Sequence, residues 1–397
     1  MTRQQAERNI KLYFLFQLFR NHLFWGPILI AYISQVSGMS LADIYFMESV
    51  SILAVVVLDS PFGALADLFG RRNTLFIGEC LGIVMIIIFA IAANPFMIWL
   101  SNLICFFSCA MVSNTDTSLL ADTLKFLGRD DEYQKIEGRS SAYCLTLIAV
   151  CSIFSGYLAE INWRLPIYLG IPFLLIGCGS VFFMVEPPFA ANQPRNHREY
   201  FKLLKLSVLF VYNHKKIKWI IAYTTLIAVV GHLWFFAYNP YFKLVDLPLS
   251  SFGLIFCLLN IVAAVASHEA HRINRIFGEY GSIVLMIILT SIPVWLMGQF
   301  VAPIAAMFVL SQSVVRGHMG PFLGDLLHKR LNSENRATVA SIRSTVCSIG
   351  QVLGLAAFSF MLKIWSLPTC LQLLGLTALI AGLPLIIGYR RIFNGKY

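Results

Sequence analysis

The sequence between residues 59 and 72 reads DSPFGALADLFGRR. An apolar run ends here in two glycines, one further carboxylate and a pair of arginines. Glycine permits close helix packing and a sharp reversal of the chain, and arginines at such a point remain in cytoplasmic water. The stretch therefore predicts a tight cytoplasmic turn between two membrane helices. An ordinary charged hairpin between two helices is the alternative.

The composition is that of a membrane protein. Hydrophobic residues make up 58% of the 397 residues and charged residues only 13%, whereas soluble domains carry about 25% charged residues. The net charge of +10 would suggest nucleic-acid binding in a soluble protein. Here the basic residues lie in short loops between apolar segments, where they indicate membrane topology. We therefore expect a lipid bilayer around the protein and no nucleic-acid partner.

Apolar runs long enough to cross about 30 Å of hydrocarbon predict twelve membrane helices. The predicted fold class is therefore an all-α integral membrane protein. The approximate spans are 10–33, 41–66, 73–93, 96–124, 138–160, 164–186, 216–240, 249–270, 279–300, 303–328, 337–362 and 367–389.

The longest polar interval divides these spans six and six. It predicts an N-terminal six-helix bundle over residues 1–186, a cytoplasmic linker over 187–215 and a C-terminal six-helix bundle over 216–397. The N-terminus, the linker, the alternate loops and the C-terminus hold most of the 30 basic residues. Because positive charge is retained on the cytoplasmic side, both termini are predicted to be cytoplasmic.

An internal repeat supports the division into two halves. Residues 118–124 read SLLADTL at the end of span 4, and residues 321–327 read PFLGDLL at the end of span 10. Each stretch is followed by a charged loop and then by an arginine, Arg139 or Arg336. The counterpart of the opening stretch, at residues 268–278, keeps a basic turn but lacks the aspartate.

Gly63, Asp67, Gly70, Arg71 and Arg72 form the pattern G-x-x-x-D-x-x-G-R-R. This pattern resembles the signature loop between helices 2 and 3 of the major facilitator superfamily of transporters. Residues 59–63 and 114–122 are similar to further motifs of bacterial members, although Ala121 stands where an aromatic residue is expected. The resemblance implies two pseudo-symmetric six-helix bundles that rock around a midplane site, in a monomer of the bacterial inner membrane.

Among the ionisable residues inside the predicted spans, six are candidates for a functional role: Arg20, Glu48, Asp59, Asp116, Arg316 and Arg343. Each costs about 2.5 to 3.5 kcal/mol at the centre of a membrane helix, so it must face protein or water. The resemblance places Arg20 on span 1 and Arg316 on span 10, facing each other across a central cavity. A guanidinium fits carboxylate or phosphate, which predicts an anionic substrate. The alternative is that each arginine pairs with Asp116, Glu48 or a helix carbonyl.

Polar and aromatic residues near these arginines are further candidate substrate contacts. They are Asn21, His22, Trp25, Asn114, Trp234, Tyr238, Gln312 and His318. Asp116 and Glu48 are candidate proton-coupling groups, because the proton affinity of a carboxylate depends on burial and on a nearby arginine. Static ion pairs are the alternative for both carboxylates. His22, His232 and His318 could donate to substrate or bind a proton, and for His232 a hydrogen-bonding packing role is favoured over these.

Charged residues and glycines near the cytoplasmic ends of the spans form a third group. We expect them to close the cytoplasmic side when the site is open to the outside; a network that only fixes loop shape is the alternative. They are Asp59, Gly63, Asp67, Gly70, Arg71, Arg72, Asp122, Arg139, Asp325, Arg336 and Arg343.

The sequence contains no metal-ligand cluster, nucleophile elbow or P-loop, and its nine cysteines lie in apolar stretches without a C-x-x-C pair. An enzyme or a cofactor is therefore not expected, and a proton gradient is the expected energy source. The predicted function is alternating-access transport of a small or medium organic anion, such as a carboxylate metabolite or a carboxylate-type siderophore. A proton-driven multidrug efflux antiporter is the alternative. A sensor without transport activity is disfavoured, since the gating charges would then have no purpose.

Overall fold

The structure is a computed structural model that describes the backbone of residues 1–21, 23–113, 115–188, 211, 213–328 and 333–393. Side chains are described over the same ranges except at 58–68, 328 and 333–338. The described residues form helices and connecting turns, with no strand among them. The all-α prediction is therefore confirmed.

Fourteen α-helices follow one another along the described chain. They are α1 Arg3–Phe19, α2 Leu29–Ser37, α3 Leu41–Phe69, α4 Arg71–Ile91, α5 Pro95–Val112, α6 Thr115–Leu127, α7 Tyr133–Ile161, α8 Leu165–Phe182, α9 Lys215–Leu244, α10 Leu249–His268, α11 Ala270–Gln299, α12 Val309–His328, α13 Ser333–Ile364 and α14 Leu367–Phe393.

Nine helical segments among the described residues are long and apolar enough to cross a membrane. They correspond to nine of the twelve predicted spans. The other three are the spans predicted at 10–33, 41–66 and 303–328, and the count of twelve stays a prediction. Large apolar side chains such as Phe96, Ile161 and Phe360 are exposed on the protein, as expected of helices that face lipid.

Three predicted spans are not continuous α-helices. In the first, α1 ends at Phe19 and a short 3-10 turn at Gly26–Ile28 precedes α2. In the fourth, Ser113 has an extended backbone with ψ of 131° between α5 and α6. The tenth begins with the 3-10 helix Pro303–Phe308 ahead of α12. Proline lies in the first turn of both 3-10 helices. It fits there because it has no amide hydrogen, and the amides of a first helical turn have no partner within the helix.

The turn predicted at the opening stretch lies between α3 and α4. Gly70 separates the two helices with a φ of +88°, a conformation that favours glycine. This φ agrees with a turn at Gly70, and the gating role of the residue stays a prediction. Gly63, Asp59 and Asp67 lie in α3, at positions whose side chains are outside the described set.

The chain divides into two compact units. The first comprises residues 1–39, 51–194 and 248–257, and the second comprises 40–50, 195–247 and 258–397. In the first unit, Tyr13, Phe16, Leu75 and Leu120 belong to a buried apolar cluster built from α1, α4 and α6. The predicted boundaries at 186 and 216 stay predictions.

The second unit has its own buried cluster, which is centred on Trp219 of α9. The Trp219 ring stacks on Tyr223 at a centroid distance of 5.2 Å and meets Tyr389 of α14 edge-on at 5.3 Å. Met286 of α11 and Phe322 of α12 complete the contacts among these helices. Aromatic pairs of this kind stabilise a core beyond their buried area.

Within the first unit, α7 and the first turn of α10 approach each other closely. A Cβ atom on Gly156 would collide with the Leu249 carbonyl, and one on Gly253 would collide with the Ser152 carbonyl. The Ser250 amide also donates to Glu160 Oε1 at 2.9 Å. Small residues at these positions permit backbone contact, which is how membrane helices pack tightly.

Replacing Gly156 by alanine tests this contact. Overpacking of this kind costs about 1 to 3 kcal/mol, so Gly156→Ala should lower the melting temperature of the purified protein in detergent. Gly138 lies in the same helix with no atom within 4 Å of its Cβ position. Gly138→Ala should therefore gain about 0.5 to 1 kcal/mol from helix propensity. Equal stabilisation by both substitutions would contradict the close approach of α7 and α10.

Candidate functional site

Arg20 lies at the C-terminal end of α1, where the first predicted span is broken. Its backbone amide donates to the Phe16 carbonyl at 3.0 Å, and its guanidinium lies 5.1 Å from the centroid of the Phe16 ring. Nη1 is 2.5 Å from Oδ2 of Asp116. A positive charge at a helix C-terminus is favoured by the helix dipole, so the break itself stabilises the guanidinium.

Asp116 lies in the first turn of α6, directly after the break in span 4. Its residue exposure is 5%, and it also accepts a hydrogen bond of 3.0 Å from Gln17 Nε2. The N-terminal end of a helix favours a negative charge. The ion pair with Arg20 is therefore one of the arrangements that the sequence left open, and the proton-coupling role of Asp116 stays a prediction.

A hydrogen-bond chain extends from Asp116 to α7. Gln17 Nε2 donates to the Tyr13 hydroxyl at 2.7 Å, and that hydroxyl donates to Glu137 Oε2 at 2.5 Å. Tyr13, Gln17 and Glu137 were not among the residues predicted from the sequence. The spacing of 13, 17 and 20 along α1 was a signal for Tyr13 and Gln17, because residues three and four apart share a helix face.

Glu79 of α4 is a second buried carboxylate near this network. It is 7% exposed and interacts electrostatically with Arg20 and Asp116. No described residue donates a hydrogen bond to it. Glu79 was not among the six candidate charges predicted from the sequence, although its position within the predicted span 73–93 was an available signal.

The other candidates of the first unit are placed near Arg20 with partners of their own. Asn21 Nδ2 lies 3.0 Å from Cys144 Sγ and 3.3 Å from the Gln17 carbonyl oxygen. Trp25 is buried against the Phe89 ring at 5.1 Å. The predictions for His22 and Asn114 fall outside the described residues.

Arg316 of α12 has a different environment in the second unit. The residue as a whole is exposed, and Nη2 donates to Asn260 Oδ1 at 2.9 Å, with the Leu259 carbonyl oxygen at 3.5 Å. No carboxylate pairs with it in the part of the chain that the structure describes. Gly317 packs so closely on Ala263 of α10 that a Cβ would collide with the Ala263 carbonyl. This contact holds Arg316 beside Asn260.

The remaining candidates of the second unit differ in burial and in hydrogen bonding. Gln312 Nε2 lies against Gly231, and its Oε1 has no hydrogen-bond partner among the described residues. Tyr238 is 2% exposed and interacts electrostatically with Arg316. Trp234 donates to Met297 Sδ at 3.2 Å. His318 is fully buried against the Phe322 ring, 5.3 Å between centroids.

Direct substrate contact by Trp234 or His318 is therefore not supported by this arrangement, because both rings are enclosed by protein. Their roles stay predictions. The candidate Glu48 is 9% exposed, and its Oε1 lies 3.6 Å from His232 Nε2. A packing role was favoured for His232 from the sequence, and its pairing with Glu48 was not predicted.

Comparison with known proteins shows the family of this chain. The model of the Major Facilitator Superfamily matches residues 12–355. The chain belongs to the major facilitator superfamily. It is a multi-pass membrane transporter of that type, and the resemblance found in the opening stretch is confirmed.

This superfamily member has relatives of low sequence identity. It is 22% identical over 345 residues to the uncharacterized MFS-type transporter YxaM of Bacillus subtilis strain 168. The aligned region covers 83% of this chain and 82% of the relative. The nucleoside transporter NupG has a similar structure, with 15% identity, a TM-score of 0.77 and coverage of 97% and 99%.

Two further solved structures share the superfamily fold. A D-xylose-proton symporter is 13% identical with a TM-score of 0.72, over 97% of each chain. A POT family transporter in complex with 5-aminolevulinic acid is 12% identical with a TM-score of 0.76, also over 97% of each chain. At such identities the likeness concerns the fold.

The signature loop of this superfamily member is held by ion pairs and backbone hydrogen bonds. Arg71 Nη1 lies 2.5 Å from Asp122 Oδ2 and 2.7 Å from the Ser118 carbonyl oxygen. Arg72 Nη2 donates to the Phe182 carbonyl. These contacts lie within the first unit, and the gating roles of Arg71, Arg72 and Asp122 stay predictions.

Glu186 contacts this loop from another part of the chain, and it was not among the residues predicted from the sequence. Its two carboxylate oxygens accept the backbone amides of Arg71 and Arg72, each at 2.7 Å. These amides open α4 and have no partner within the helix, so the carboxylate caps the helix and complements its dipole. A Cβ on Gly70 would lie 3.1 Å from this carboxylate group, a second reason for glycine there.

The other gating candidates are less completely placed. Arg139 is exposed, and Arg343 is half-buried with an Nε that has no partner among the described residues. Asp325 is exposed on α12. The side chain of Arg336 lies outside the described set.

Removing the Asp116 carboxylate tests the Arg20 pair. Loss of one partner from a buried ion pair costs about 3 to 5 kcal/mol, because the other charge is left uncompensated. Asp116→Asn should therefore lower the melting temperature in detergent, and adding Arg20→Gln should restore part of the loss.

An exposed ion pair provides the control for this prediction. Arg129 Nη1 lies 2.9 Å from Glu7 Oε1, and their side chains are 33% and 45% exposed. Removal of such a pair costs about 0 to 1 kcal/mol, so Glu7→Gln should change little. Equal losses from Asp116→Asn and Glu7→Gln would contradict the buried character of the Arg20 pair.

Proposed function

We propose that this protein is a proton-coupled secondary transporter of a small organic anion, which it moves by alternating access in the bacterial inner membrane. The observation that carries the proposal is the guanidinium of Arg316. Arg316 is an exposed residue within predicted span 10, and no carboxylate pairs with its guanidinium in the described chain. A permanent charge at that depth is too costly to face lipid, so it lines a water-filled space.

The partners of Arg316 leave its charge available. The Asn260 amide oxygen and the Leu259 carbonyl oxygen accept from Nη2 alone, and neither carries a formal charge. A guanidinium presents five donors in a fork that matches a carboxylate. The Nη1 side of Arg316 is therefore the proposed anchor of the substrate anion.

Arg20 and Asp116 supply a means of proton coupling in this proposal. Asp116 neutralises Arg20 in the structure, at 2.5 Å. When the carboxylate takes up a proton, the attraction between the two groups is lost and the charge of the Arg20 guanidinium is no longer compensated. A bound proton would thus change the net charge of this part of the first unit, which is how it would act on transport.

Two of the structural neighbours support the plausibility of this chemistry on the fold. One is named a D-xylose-proton symporter, and another was solved with 5-aminolevulinic acid. The nucleoside transporter among the neighbours indicates that the fold alone does not set the charge of the substrate. The assignment to anions therefore rests on Arg316.

A thermal-shift screen of the purified protein against carboxylates, phosphates, nucleosides, sugars and drug cations tests the assignment. Carboxylates should stabilise the wild type. Arg316→Gln should weaken that binding by about 10- to 150-fold, since a hydrogen bond to a charged group contributes about 1.5 to 3 kcal/mol. Arg316→Lys should retain part of the effect, because it keeps the charge but not the fork.

Arg272→Gln is the matched control, since Arg272 is 69% exposed and pairs with Glu269 at 3.0 Å. It should bind carboxylates like the wild type. Stabilisation by cations alone would favour the drug antiporter and overturn the anion proposal. Unchanged carboxylate binding by Arg316→Gln would show that another residue anchors the anion.

A further inference from the structure

Glu48 of α3 and His232 of α9 form an isolated titratable pair in the second unit. Glu48 Oε1 and His232 Nε2 are 3.6 Å apart, and the two side chains are 11% and 26% exposed. His232 Nε2 is buried without a hydrogen bond, and no described residue donates to the Glu48 carboxylate. Each group thus faces the other at slightly more than hydrogen-bonding distance.

The surroundings of the pair hold both groups in place. The imidazole stacks on the Phe236 ring at 5.2 Å between centroids. One turn before Glu48, the Tyr45 hydroxyl donates to the Leu233 carbonyl oxygen at 2.5 Å. The carboxylate and the imidazole therefore cannot move apart without breaking packed contacts.

Other contacts fasten the same part of α3 to α13. Ser49 Oγ donates to the Val352 carbonyl oxygen at 2.8 Å, and Ser359 Oγ donates to the Ala42 carbonyl oxygen at 2.7 Å. These hydroxyl contacts do not titrate near neutral pH. Among these contacts of α3, the attraction between Glu48 and His232 is the one that depends on a bound proton.

Few other titratable groups surround the pair within the described part of the second unit. Tyr45 lies on α3 itself and is committed to the Leu233 carbonyl. The Cys370 thiol of α14 interacts electrostatically with Tyr45. From α13 the described contacts are the Ser359 hydroxyl and the Val352 carbonyl, which carry no charge.

We infer that Glu48 and His232 together bind one proton, and that this proton fastens the start of α3 to α9. The proton adds to His232 Nε2, and the resulting N–H donates to Glu48 Oε1 as a charge-assisted hydrogen bond. When the proton leaves, the neutral imidazole no longer attracts the carboxylate, and one fastening contact of α3 is lost. The site is distinct from Asp116, which lies in the first unit.

The inference deepens the proposed function, because it names a second group through which a proton acts on the transporter. The inference depends on the proposed function in one respect, which is that the bound proton affects transport. Proton binding by the pair can be measured on the purified protein without any transported anion.

A double-mutant cycle in melting temperature tests the inference, with wild type, Glu48→Gln, His232→Gln and the double variant in detergent. A histidine that gains a partner on folding contributes stability at low pH and loses it as the pH rises. At about pH 6, where histidine readily takes up a proton, the double variant should lose less than the sum of the single losses. At about pH 8 the losses should add.

The exposed pair His268 and Glu269 is the matched control, at 3.8 Å with His268 86% exposed. His268→Gln and Glu269→Gln should show additive changes at both pH values. Additive losses at both pH values for the Glu48 and His232 cycle would overturn the inference. If a variant does not fold, infrared pH-difference spectra of the wild type decide the matter, since separate titration of carboxylate and imidazole bands would also overturn it.

Proteoliposome measurements separate this inference from the proposed function. A pH-dependent coupling between Glu48 and His232, without uptake of any stabilising anion driven by a proton gradient, would support the proton site and count against proton-coupled transport. Proton-driven uptake that keeps its full pH dependence in His232→Gln would overturn the site and leave the proposed function intact.

Discussion

The cost of placing charge in hydrocarbon is the constraint on which this structure depends. An intramembrane arginine or carboxylate needs an opposite charge, a helix end or water. The pair of Arg20 and Asp116 meets this requirement with a distance of 2.5 Å and with two helix breaks. Arg20 lies where α1 ends and Asp116 where α6 begins, so both helix dipoles favour the charges that they carry.

The two units treat similar arginines differently. Arg20 is neutralised by the Asp116 carboxylate, which also accepts a hydrogen bond from Gln17, whereas Arg316 is held by an amide and a backbone carbonyl. The short sequence similarity around the two arginines would suggest equivalent roles. In the proposed function, the second unit is therefore the place where the anion binds, and the first unit is the place where a proton releases a charge.

Glycine contacts determine where several of these groups lie. Gly317 brings α12 against Ala263, which puts Arg316 beside Asn260, and Gly70 allows Glu186 to cap α4. In a bilayer there is little hydrophobic force between helices, so close van der Waals contact at small residues decides their packing. A substitution at such a glycine would therefore displace a neighbouring functional side chain.

The sequence by itself determined the helical membrane fold, the superfamily and the turn at Gly70, because hydrocarbon thickness and backbone hydrogen bonding leave few alternatives over apolar runs. It also identified Arg20, Asp116, Glu48 and Arg316 as costly charges. Only the tertiary structure decided their partners. Whether Arg20 meets Asp116, or Glu48 meets His232, depends on helix breaks and on contacts between residues far apart in the chain, which local sequence does not encode.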